Sequence, residues 1–230
     1  MQSTDRAARI AGAVYLVSIL IGPLSLIYVP SVLFVSGNAP ATASNIRAHE
    51  MLLRFGIAGD LLNGVLFLFV VLALYQLFEG VDRKLSIVMV ILGGLMVTPI
   101  FFLNSLNWFA ALTLAHGGTY LDAFDPAQQA ALAMLFVRLH GAGNMVNELF
   151  WGLWLFPFGL LVIRSGFLPR ILGYWLLLGG AAYVIVCFTG ILAPEYQDRV
   201  FAYSQPGMFG EIAVVLWLLI RGARVGAVPA

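Results

Sequence analysis

Charged residues punctuate this chain so that long apolar stretches lie between them. No Asp, Glu, Lys or Arg occurs from Ile10 to Ile46, Leu61 to Phe78, Leu85 to Leu121 or Ile171 to Pro194. A helix needs about 20 mostly apolar residues to cross a bilayer, so each stretch holds one crossing. Two further stretches tolerate one acid each: Gly143 to Ile163 with Glu148, and Gly207 to Ile220 with Glu211. The pattern predicts an all-α, polytopic integral membrane protein with six transmembrane helices. They fall near residues 10–31, 55–78, 85–115, 130–163, 171–193 and 207–221, in a single transmembrane domain over 1–230.

Local chemistry sets the ends of these helices. Asp125-Pro126-Ala127-Gln128 reads as an N-cap, a proline at the first helical position and a glutamine reaching back to the cap. Ser165-Gly166 ends that helix, because glycine accepts the left-handed conformation beyond a helix terminus, and Pro169 starts the next. Glu79-Gly80 ends the second helix and Asp82 caps the third. Residues 36–54 open with Gly, Asn and Pro, then turn helical with Ile46, His49 and Leu53 on one side, which predicts a helix lying on the outer membrane surface. The first apolar stretch is too long for a signal-peptide core, which spans about 7–15 residues, so it is expected to remain as a span.

Composition changes the picture only by closing off other classes. Hydrophobic residues make up 61% of the 230 and charged residues 10%, against roughly 45–50% and 25% in soluble domains. A net charge of +1 offers no basic face for nucleic acid. The single cysteine, Cys187, excludes an intramolecular disulfide. Basic residues set the predicted orientation. With the N-terminus inside, Arg6, Arg9, Arg83, Lys84, Arg164, Arg170, Arg221 and Arg224 are cytoplasmic, and Arg47, Arg54, Arg138 and Arg199 are outside. Eight against four obeys the positive-inside rule and places both termini in the cytoplasm.

In hydrocarbon the informative residues are those that cost most to bury. At about 1.5 Å per residue from the cytoplasmic ends, Asp60, Asn104, Asn107, Asn144, Asn147 and Glu148 rise about 24–33 Å, His140 about 36 Å and Glu211 about 15 Å. These eight residues are the candidate polar pocket, expected to open to the outer face. On the fourth helix Asn147, His140, Trp151, Asn144 and Glu148 share one side, and His140, Asn144 and Glu148 repeat every four residues as a ladder. Carboxyls at such depth must be neutral, paired with arginine, or turned toward a cation or water. His49, His116 and His140 are weaker candidates for a metal site, with no HExxH and no cysteine pair to support them. No motif implies a cofactor. Pro23, Pro99 and Pro157 interrupt three helices, Trp108, Tyr120, Trp151, Trp154, Tyr174, Trp175 and Trp217 mostly fall near the interfaces and read as anchoring belts, and Gly93-Gly94 and Gly179-Gly180 as close helix contacts.

Several segments resemble a family of bacterial membrane proteins catalogued as domain of unknown function 4386. They are Arg9 to Tyr15 (RIAGAVY), Tyr120 to Pro126 (YLDAFDP), His140 to Gly152 (HGAGNMVNELFWG), Arg164 to Gly173 (RSGFLPRILG), and Gly210-Glu211 before Leu216-Trp217-Leu218-Leu219. The resemblance implies six helices and the bacterial cytoplasmic (inner) membrane, and no particular reaction. The aromatic and the aspartate usual in the family after the histidine stand here as Asn144 and Asn147-Glu148. Three functions fit the sequence. One is a pocket that binds or moves a small solute, a cation or a proton. A second is a structural or accessory subunit whose polar residues only pack helices. The third is a small membrane enzyme acting on a lipid or quinone-like substrate, with or without a metal.

Overall fold

The computed structural model describes residues 2–223, and Arg224 of the orientation argument lies outside them. Every regular element among the described residues is helical. The chain runs through α1 (Gln2–Pro23), a π turn (Leu24–Tyr28), α2 (Val29–Leu33), α3 (Ala39–Ala48), α4 (Glu50–Phe78), α5 (Arg83–Met89), a second π turn (Val90–Met96), α6 (Val97–His116), α7 (Pro126–Arg164), α8 (Arg170–Leu192) and α9 (Gln197–Ile220). Six runs are long and apolar enough to cross a membrane: Thr4–Leu33, Glu50–Phe78, Arg83–His116, Pro126–Arg164, Arg170–Leu192 and Pro194–Ile220. Their outer surfaces carry bare apolar side chains such as Leu20, Ile27, Phe69, Leu103 and Leu192, 55–78% exposed. Water does not tolerate an apolar surface of that extent, whereas lipid is its natural solvent.

The ends follow local chemistry. Gln128 N–H donates to Asp125 Oδ1 at 2.8 Å and Asp125 N–H to Gln128 Oε1 at 2.9 Å, a complete reciprocal cap for α7. Asp82 Oδ1 accepts from Leu85 N–H at 3.0 Å, and Gly166 takes φ 69° after α7. Where bounds differ, the helices outrun the uncharged gaps. The second crossing begins at Glu50, which pairs with Arg54 one turn on at 2.6 Å. The sixth starts at Pro194, ahead of Asp198 and Arg199. A charged residue ends an apolar stretch without ending the helix that carries it. Within 36–54, Asn38 caps α3, the helix breaks at His49, and Ile46 and Leu53 are fully buried while His49 is exposed. The prolines do not sever their helices: Pro23 precedes a π turn, and α7 runs unbroken through Pro157.

The chain divides into two compact units. One comprises residues 20–64 and 99–144; the other comprises 1–19, 65–98 and 145–230. The first is centred on Val29, Leu33, Ile46, Leu53, Trp108 and Leu112. In the second, Trp154 lies among Tyr15, Phe67 and Phe158 with ring centroids 5.2–6.0 Å away. There α7 and α8 touch backbone to backbone. A Cβ on Gly152 would come 2.6 Å from the Gly180 carbonyl oxygen, and one on Gly173 would come 2.6 Å from that of Gly159. Two glycine pairs seven residues apart thus set how closely these helices approach, and Gly179 meets Gly207 of α9 in the same way.

Candidate functional site

The 20–64/99–144 unit brings Asp60, Asn104, Asn107, His140 and Asn144 together from α4, α6 and α7. Asn104 is the hub. Its Nδ2 donates to the His140 carbonyl and to Asn144 Oδ1, each at 2.9 Å, and its Oδ1 accepts from Asn107 Nδ2 at 2.9 Å. Both amide hydrogens and the amide oxygen are therefore in use. Glycine at 143 permits this, because a Cβ there would fall on the Asn104 amide.

The same asparagine orients the histidine. His140 Nδ1 lies 3.3 Å from the Asn104 carbonyl oxygen, which only an N–H can satisfy. The neutral ring thus carries its hydrogen on Nδ1 and presents the lone pair of Nε2. Among the described residues no protein group hydrogen-bonds that buried Nε2, and Asp60 Oδ2 lies 3.6 Å away, just outside bonding range. Both side chains are 4% exposed. Trp108 covers the imidazole face, with centroids 3.9 Å apart and planes inclined by 20°. Ser25, in the first π turn and 1% exposed, hydrogen-bonds Asp60. A π turn rotates side chains out of the α-helical register, and such turns recur at functional sites.

The other unit holds Asn147, Glu148 and Glu211. Glu211 accepts from the Tyr15 hydroxyl of α1 and is hydrogen-bonded by Tyr183 of α8. Trp151 packs edge-on against Tyr183, centroids 6.1 Å apart. Among the described residues no protein group hydrogen-bonds Oε2 of half-buried Glu148 or Oδ1 of buried Asn147. Five of the residues singled out from sequence thus belong to one unit and three to the other.

Tyr15, Tyr183, Ser25 and Trp108 were not foreseen as site residues. A tyrosine hydroxyl in mid-span needs a polar partner, and that signal was available in the sequence. Trp108 and Trp154 correct the reading of aromatic belts, since both are 0% exposed. Among the described residues no group of three or more His, Cys, Asp or Glu side chains comes together as a metal cage. His116 instead faces Glu50, Nε2 to Oε2 at 2.9 Å, with Nδ1 3.0 Å from the Leu112 carbonyl oxygen.

Six apolar helices with ionisable side chains sequestered among them define a multi-pass helical membrane protein. The chain matches the family described as Domain of unknown function (DUF4386) over residues 10–222, and it belongs to that family. A relative from Archaeoglobus fulgidus, described as an uncharacterized protein, is 24% identical over 181 residues, covering 76% of this chain and 88% of its own. No solved structure matches this chain.

Proposed function

We propose that this protein binds or moves a proton, or a small solute coupled to one, through the buried His140–Asp60 pair. It does so in the bacterial cytoplasmic membrane, with both termini cytoplasmic and the pair reached from the outer face. The supporting observation is the bare Nε2 lone pair of His140, held 3.6 Å from a carboxyl in surroundings that exclude water. Imidazole and carboxyl exchange a proton with little movement at that separation. Packing accounts for the hydrogen bonds that His140 makes to Asn104 and Asp60 to Ser25, but it gives no reason for Nε2 and Oδ2 to face each other unbonded at 3.6 Å. Asn104 and Trp108 fix the ring so that Nε2 points one way, and Ser25 holds the carboxyl.

The test is collapse of an imposed pH gradient in proteoliposomes containing a pH-sensitive dye. Native protein should dissipate the gradient faster than protein-free vesicles, and Asp60→Asn should return the rate to that of the lipid. Dissipation that Asp60→Asn leaves unchanged would remove the pair from the pathway.

A further inference from the structure

A groove of about 600 Å³ opens at the Leu33 end of the first apolar run, between Pro30, Phe34 and Val35 on one side and Met134, Val137 and Arg138 on the other. We propose that this groove binds one anionic glycerophospholipid, its phosphate on Arg138 and an acyl chain along the apolar wall. The inference stands apart from the proton pathway and does not depend on it.

The groove is built rather than incidental. The apolar run ends at Leu33, and Phe34 turns to an extended conformation with ψ 120°. Val35 N–H then donates to Thr42 Oγ1 at 2.9 Å, and Asn45 Nδ2 to the Leu33 carbonyl at 3.3 Å. These bonds pin the departing chain against α3, so the wall is preformed. Ser36, Gly37 and Asn38 follow as a polar turn, Gly37 at φ 73°, so this end of the groove joins an apolar run to polar chain, as a headgroup boundary requires. About 600 Å³ also lies within the usual range of ligand sites, about 300–1,000 Å³.

Charge selects the occupant. Arg138 is exposed and has no carboxylate partner among the described residues, and no acid lines the groove. Arg47 and Arg54 of the same unit are already engaged, by the Ala115 carbonyl and by Glu50. A guanidinium offers a planar fork that matches two oxygens of a phosphate, and an apolar wall beneath it accepts a lipid tail. The chemistry is that of a basic pocket for an anionic headgroup. Phe34 also packs edge-on against Trp108, centroids 6.0 Å apart, and Trp108 stacks on His140. A bound lipid would therefore lie two rings from the imidazole.

The experiment is native mass spectrometry of the full chain released from nanodiscs of phosphatidylglycerol and phosphatidylcholine in equal amounts. Native protein should retain one phosphatidylglycerol in preference to phosphatidylcholine. Arg138→Gln should lower that preference on the order of tenfold, the loss of one charge-assisted contact. Met134→Trp, which fills the groove and keeps the charge, should lose both lipids, while Arg199→Gln on α9 should behave as native. Equal retention of the two lipids by native protein, or undiminished phosphatidylglycerol on Arg138→Gln, would overturn the proposal.

Discussion

Trp108 of α6 lies flat on His140 of α7, ring centroids 3.9 Å apart and planes within 20° of parallel. The indole is fully buried, so it both shields the imidazole and fills the unit's core. Trp108→Ala should destabilise the protein by about 3–5 kcal/mol, the usual cost of emptying a buried tryptophan site. Trp108→Phe should retain most of the stability. Denaturant melts in detergent distinguish the two.

The asparagine network makes a graded prediction. Asn104→Leu removes three side-chain hydrogen bonds and strands polar groups on α6 and α7, whereas Asn107→Leu removes one. The first should cost about 1–3 kcal/mol and the second less, near the 0.6 kcal/mol average for such bonds in membranes. Equal losses in thermal melts would mean that Asn104 is not the hub.

Glycine contacts between α7 and α8 make a steric one. Gly152→Val places a branched side chain where even a Cβ would be 2.6 Å from the Gly180 carbonyl oxygen. Neither backbone can yield without separating the helices, so a loss of about 1–3 kcal/mol or more is expected. Gly141→Ala, inside α7 where the added Cβ meets nothing within 4 Å, is the control and should not lower the melting temperature.

The six crossings, the Asp125–Gln128 cap and the Asp82 cap were legible because each depends on residues adjacent in sequence or one turn apart. Partners across helices were not. Helical periodicity places His140 and Asn144 on one side of α7, but it cannot reveal that Asn104 joins them or that Asp60 faces the ring. Nor does it foresee the π turn at Leu24–Tyr28 that contains Ser25, since π turns leave no periodic mark. Depth along a span misled for Trp108 and Trp154, because an indole near a boundary can turn inward as readily as outward. Weighing acids and amides alone also passed over Tyr15 and Tyr183, the hydroxyls that hold Glu211.

The central claim is that His140 keeps a bare nitrogen ready to take a proton beside Asp60. Nitrogen-15 NMR of imidazole-labelled protein in lipid reads both ring nitrogens directly. Nδ1 should be protonated throughout, and Nε2 should be bare at high pH and gain a proton as pH falls, with a midpoint that shifts in Asp60→Asn. An Nε2 resonance that never titrates, or one whose midpoint Asp60→Asn leaves in place, would contradict it.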